Sequence, residues 1–350
     1  MVKAIEYSLY ELSPQEPLNA LVKNKPTSRS GALLKVHFEH GLVGYADCSP
    51  LPQMGDAPLQ EQLSLLSKNL FTPLTIQSIT LARVDAKYRS KNMSAFTGLE
   101  IPESHYLVTK LSDDFLSTLV NIHEQSFQAV KIKVGYHLAE ETSLVKKALE
   151  KIQRLNLKLK LRLDFNFSHP YESVKHFLNE LRGFEQHIDF IEDPFPYEEH
   201  AWKKLGQETQ IKFAQDQKKN LLNFGFSTSN ADITPSFSGL VIKPAIENVE
   251  DYVAFINKQN LFVVFTSYMD HPLGQLGAVY LAAQFYELFP QKKMICGFLT
   301  HKVFKKNEFS EAFLNDSPYL IGTNFLSASG AGFGFQEQLD KQTWKQISEY

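Results

Sequence analysis

From residue 99 onward the chain alternates short apolar runs with amphipathic stretches, and this grammar limits its possible folds more than any other feature. The runs are residues 105–108, 129–134, 157–165, 188–191, 211–214, 239–242, 261–266 and 294–298. Stretches with helical spacing, among them 138–155, 171–181, 247–257 and 273–288, stand between them. A strand followed by a helix, repeated, winds a parallel sheet with helices outside it. Eight such units close most simply as a (β/α)8 barrel.

The first part reads differently. Residues 2–10 and 31–44 alternate apolar and polar side chains, with His40-Gly41 as a turn and 12–30 as a long loop. That is an antiparallel meander. Residues 48–56 hold two prolines and a glycine and are read as loop, and 59–70 and 76–88 carry helical patterns. The expected class is therefore α/β, a modified (β/α)8 TIM barrel over residues 98–324 with an N-terminal α+β capping domain over 1–97. The tail, 325–350, is expected to pack back on the cap.

At 350 residues the chain can bury a large core, and its 36 Lys plus Arg against 39 Asp plus Glu give no electrostatic case for a nucleic-acid or membrane partner. Apolar runs such as 261–265 are too short to span a bilayer, and Glu6, Ser8 and Glu11 interrupt what a signal peptide would need. Cys48 and Cys296 stand far apart with no metal-like spacing. A cytoplasmic enzyme with a small-molecule substrate is expected, and nothing calls for an obligate protein partner.

The chemistry lies at the run ends, because barrel sites form at the C-terminal ends of strands. Lys131 and Lys133, two apart in Ala-Val-Lys-Ile-Lys-Val-Gly, share one face of the second strand. The next three strands end in Asp164, Glu192 and Asp216, each about one βα unit from the last. Three oxygen ligands without Cys or His suit a hard cation, Mg2+ before Ca2+ when positions stay open for substrate. The sixth run ends in Lys243, on the strand opposite the second. A carboxylate substrate between two such lysines suggests removal of the proton alpha to that carboxylate. Lys131, a second cation beside Lys133, would help keep the base's pKa low.

With Lys131, Lys133, Asp164, Glu192, Asp216 and Lys243 in hand, the sequence resembles the enolase superfamily, in its lysine-lysine, cycloisomerase-like subgroup. A lysine base working with Mg2+ is a known property of that superfamily. The resemblance covers essentially the whole chain. It implies Asp164, Glu192 and Asp216 as metal ligands, Lys133 as base, Lys243 as its opposite number and Asn166 as a supporting group. Gly44-Tyr-Ala-Asp-Cys-Ser-Pro-Leu-Pro is similar to the Gly-x-Gly-Glu-x-Ser-Pro-Leu-Pro segment of the o-succinylbenzoate synthases, with Ala46 for a glycine and Asp47 for the glutamate. This likeness implies a lyase of menaquinone biosynthesis that dehydrates 2-succinyl-6-hydroxy-2,4-cyclohexadiene-1-carboxylate. A racemase or epimerase of N-acylated amino acids or dipeptides is the alternative on the same scaffold. Arg29, Ser267 and Tyr268 are expected as substrate contacts and His271 as a loop residue. Gly330-Ala-Gly-Phe-Gly does not open a helix after a strand, so it is not read as a dinucleotide site.

Overall fold

The computed structural model describes residues 1–18, 28–216, 235–322, 325 and 329–347. The chain begins with β1 (Val2–Leu12), β2 (Arg29–Phe38) and β3 (Val43–Cys48), antiparallel in that order. Helices α1 (Leu59–Ser67) and α2 (Pro73–Arg89) follow. The start of α2 is set locally: Thr72 Oγ1 accepts from Thr75 N, Thr75 Oγ1 accepts from Thr72 N, and Pro73 opens the first turn. Gly44 lets α2 lie on β3, since a Cβ there would stand 1.9 Å from the Ala82 carbonyl oxygen.

The second unit runs β4 (Tyr106–Val108), α3 (Asp113–Glu124), β5 (Ala129–Lys133), α4 (Leu138–Arg154), β6 (Lys160–Asp164), α5 (Tyr171–Glu180), β7 (Ile188–Glu192) and α6 (Glu199–Thr209). It continues with β8 (Phe213–Gln215), β9 (Gly239–Ile242), α7 (Val253–Lys258), β10 (Phe262–Phe265) and α8 (Pro272–Leu288). β4 to β10 pair in sequence order, every pair parallel. The helix α4 covers the sheet by a single face, whereas α8 is buried on nearly all sides. On α4, Val145, Ala148, Leu149 and Ile152 recur at helical spacing and are fully buried. The larger of these side chains each contribute roughly 1.5–3 kcal/mol by leaving water.

Two expectations change. The stretch 247–257 is not one helix: Asn248 Oδ1 accepts from Glu250 N, a 3-10 segment Val249–Tyr252 forms first, and α7 begins only at Val253. The eighth run, 294–298, makes no regular strand and instead joins both edges of the sheet through single bridges. Cys296 N donates to Glu103 O and its carbonyl accepts from His105 N. Gly297 N donates to Phe265 O and its carbonyl accepts from Ser267 N. The barrel therefore closes on a two-residue seam. Gly297 is what permits the closure, because a Cβ there would lie 2.7 Å from His105 Cε1 and 2.9 Å from Thr266 Cγ2.

After the barrel come α9 (Gln336–Asp340) and β11 (Lys345–Gln346), and β11 pairs antiparallel with the outer edge of β1, Gln346 opposite Glu6. Asp85 on α2 accepts from Phe333 N at 2.6 Å and from Arg89 Nε at 2.6 Å, while Arg89 also donates to Gly334 O. Gly332, at φ +65°, makes that approach possible: a Cβ would stand 2.1 Å from Asp85 Oδ1. No helix among the described residues is long and apolar enough to cross a membrane.

Candidate active site

The parallel ladder sets the site before any side chain is considered. In register, Lys133 stands beside Asp164 and Asp164 beside Glu192 across β5, β6 and β7. Beyond β6 the chain turns through Asn166 and Phe167, both with positive φ, and Asn166 N donates back to Asp164 Oδ1. Beyond β7, Asp193 has φ 45°, and its Oδ1 accepts from Asp216 N at 3.0 Å, which fixes the chain where Asp216 leaves β8. These left-handed residues cluster where the strand ends turn inward, a common mark of a functional site.

Lys131, Lys133, Asp164, Asn166, Glu192, Asp216 and Lys243 line one pocket. Lys131 Nζ donates to both oxygens of Glu192 at 2.7 Å and lies 2.9 Å from Asp164 Oδ2. Lys133 Nζ is 3.5 Å from Asn166 Oδ1 and 3.8 Å from Asp164 Oδ2. From the far wall Lys243 pairs with Asp216. Lys133 differs electrostatically from Lys131 and Lys243. Burial alone would lower Lys131 and Lys243, yet the surrounding carboxylates raise both above the ordinary lysine range. For Lys133 burial prevails against Asp164, helped by the charges of Lys131 and Lys243, and its pKa falls. Asp164 is held down to about 2: burial pushes it up, and Lys131 and Lys133 more than offset that. Burial and the Asp164 charge push Glu192 upward.

Among the described residues no three His, Cys, Asp or Glu side chains stand together as a ready-made metal nest. Lys131 bridges Asp164 and Glu192, and Lys243 contacts Asp216, so ammonium groups balance the charge that a cation would balance. The donor set still fits a hard divalent ion, since three carboxylates from neighbouring strand ends, each at most 5% exposed, face one cavity.

The remaining expected contacts divide. Ser267 and Tyr268 line the pocket; Ser267 Oγ is 2.7 Å from Thr300 Oγ1, and Tyr268 donates to Asp56 Oδ2 at 2.9 Å. Arg29 is not in the lining. It is 4% exposed and donates to the carbonyls of Tyr268 and Met269 in the barrel and of Ser49 and Pro50 in the cap. Its guanidinium clamps two loops together, so its hydrogen bonds go to the backbone around the pocket. His271 lies in the loop just before α8, outside the pocket lining: its Nδ1 accepts from Leu273 N and caps the helix, with its ring between Tyr10 and Phe309.

Leu51 and Met54, in the cap loop 49–54 expected near the succinyl arm, are in the lining, together with residues the sequence reading missed: His105, Leu107, Thr266, Met269, Gly297 and Thr300 of the barrel. Only the cap loop carried a signal, its Ser-Pro-Leu-Pro motif. A second cavity of about 420 Å³ adjoins the first, sharing Met54, Asp216, Lys243 and Tyr268 and adding Asp56, Glu247 and Tyr252.

Comparison with known proteins bears on this geometry. Residues 5–88 match the family model described as O-succinylbenzoate synthase, N-terminal domain, and residues 116–219 match Enolase C-terminal domain-like. An o-succinylbenzoate synthase of Bdellovibrio bacteriovorus is 34% identical over 349 residues, 99% of each chain. Among solved structures, an N-succinyl Arg/Lys racemase of Bacillus cereus superposes with a TM-score of 0.73 at 13% identity, covering 99% of this chain and 98% of that one. A dipeptide epimerase of Cytophaga hutchinsonii, complexed with Mg and a dipeptide, gives 0.71 at 16% identity, covering 99% and 100%. At such identities the structural likeness speaks for the fold.

Proposed function

The chain belongs to the o-succinylbenzoate synthase family of the enolase superfamily, a family of hydro-lyases, and from that premise we propose that it dehydrates 2-succinyl-6-hydroxy-2,4-cyclohexadiene-1-carboxylate to o-succinylbenzoate. The observation that carries the reading is a buried pocket in which one lysine with a lowered pKa lies beside three strand-end carboxylates and opposite a second lysine. On this reading residues 98–324 form the catalytic barrel, residues 1–97 with the tail 325–350 form its cap, and the enzyme serves menaquinone biosynthesis in the cytoplasm.

Asp164, Glu192 and Asp216 would hold a divalent ion, Mg2+ by their chemistry, and that ion would supply Lewis-acid stabilisation of the ring carboxylate. Lys133 acts as the base, and burial, by lowering its pKa, makes the neutral amine easier to reach than for an ordinary lysine. Asn166 Oδ1 orients its Nζ. Lys133 takes the proton from the ring carbon alpha to the carboxylate, then returns it to the neighbouring hydroxyl, which leaves as water. The ring becomes aromatic, and no oxidant is needed. Lys243, kept cationic by Asp216, faces the ring and meets the negative charge that develops, with a cation–π contribution on the product. Lys131 stays charged and holds Glu192 and Asp164 in place. The succinyl arm extends toward Tyr268 and the cap loop around Leu51 and Met54.

The test is direct. The purified protein with Mg2+ should convert the cyclohexadiene acid to o-succinylbenzoate, followed by absorbance. Failure to dehydrate, together with deuterium entry at the alpha carbon of an N-succinyl amino acid in D2O, would replace this reading with racemisation.

A further inference from the structure

One wall of the pocket holds a donor that the proposed reaction steps leave unused. His105, 4% exposed, lines the cavity just before β4. Its Nδ1 lies 3.1 Å from Arg162 Nη1. A guanidinium only donates, so Nδ1 must be the acceptor and the ring proton must sit on Nε2. Arg162 has no freedom to change this arrangement. Its Nε donates to Asp189 Oδ2 at 2.8 Å, its Nη1 also donates to Ile295 O at 2.8 Å, and the group stacks over Phe190. Burial first, then the charges of Arg162, Lys131 and Lys133, keep the imidazole neutral.

Among the described residues His105 Nε2 has no hydrogen-bond partner, and neither has Thr266 Oγ1, on a residue 7% exposed that also lines the cavity. Both residues border Gly297, where a Cβ would stand 2.9 Å from His105 Nε2 and 2.9 Å from Thr266 Cγ2. Gly297 thus leaves a place with no side chain of its own, bounded by the His105 imidazole on one side and the Thr266 methyl on the other. His105 Nε2 borders the cavity and its N–H finds no acceptor among the described residues, so a ligand that enters can supply one. Carboxylate groups of a ligand are better met by the ammonium groups across the pocket, whereas a neutral niche suits a neutral oxygen.

We propose that His105 is a substrate-binding residue whose Nε2–H, fixed in that tautomer by the Asp189–Arg162 pair, donates to the ketone oxygen of the substrate's acyl arm, with Thr266 beside it. The identity of the ligand rests on the dehydratase reading; the tautomer and the unpartnered donor do not.

The test is a binding series in Mg2+ buffer with o-succinylbenzoate, 2-acetylbenzoate, which keeps the ketone without the tail carboxylate, and benzoate, which has neither. His105→Leu should weaken the first two about tenfold and leave benzoate within about twofold. His105→Gln, whose amide can stand in for the Nε2–H, should recover most of the loss. In the wild-type protein, 15N-histidine NMR should show the Nε2–H tautomer, with that resonance moving on addition of o-succinylbenzoate and 2-acetylbenzoate but not of benzoate; this measurement stands even if His105→Leu does not fold. Equal weakening of all three ligands, weakening of none, or an Nδ1–H tautomer would overturn the assignment. Absence of dehydration with the binding pattern intact would remove the dehydratase reading and leave His105 in place. Normal turnover without the pattern would do the reverse.

Discussion

The two walls of the pocket are built differently. From β5 to just past β9 the lining is charged except for Asn166, and each charge has an opposite partner: Lys131 with Glu192 and Asp164, Lys133 with Asp164, Lys243 with Asp216. Around the seam, from β10 through residues 296–297 to β4, the lining is neutral: Thr266, Ser267, Gly297, Thr300 and His105. A wall of paired charges can move protons and stabilise a developing anion. The neutral wall can only position what it touches. Substitutions on the first wall should therefore act on turnover, and those on the second on binding.

The largest effect that separates them is Lys133→Ala. It should lower kcat by roughly a hundred- to ten-thousandfold with the circular dichroism spectrum unchanged. A variant that retains turnover within tenfold of wild type would erase the distinction between the walls. Chelation is next: EDTA should abolish turnover and added Mg2+ should restore it, while o-succinylbenzoate-independent stability, followed by thermal unfolding, should change far less. Arg29→Leu tests the clamp above both walls. Four carbonyls lose a charged donor, so urea unfolding should show a loss of about 1.5–3 kcal/mol. Thr266→Val is the smallest, an almost isosteric loss of one hydroxyl on the neutral wall. KM should rise about two- to tenfold with kcat held, and a fall in kcat without a change in KM would place Thr266 with the charged wall.

The charged wall was legible in the sequence for a physical reason. Buried charge is costly, so Lys131, Lys133, Asp164, Glu192, Asp216 and Lys243 at the ends of apolar runs demand an explanation, and their spacing of one βα unit gives it. The strand runs were legible by the same logic, because parallel strands buried on both faces read as continuous apolar segments. What stayed hidden depends on contacts between distant segments. His105 and Thr266 meet only because Gly297 closes the barrel between them, and neither residue type is unusual at its own position. Arg29 looked free to bind an anion because its partners are backbone carbonyls, which carry no mark in a sequence. His271 was legible as a loop residue, since Pro272 after it marks the first turn of α8; only its capping bond to Leu273 was not.

The pairing of β11 with β1 has a consequence for synthesis. β1 leaves the ribosome long before the strand that shields its outer edge, Lys345–Gln346. A nascent chain, or one stopped before residue 345, thus carries an uncovered edge, and such an edge can recruit a strand from a neighbouring polypeptide. Chains cut short by ten residues should aggregate before they lose any part of the catalytic pocket.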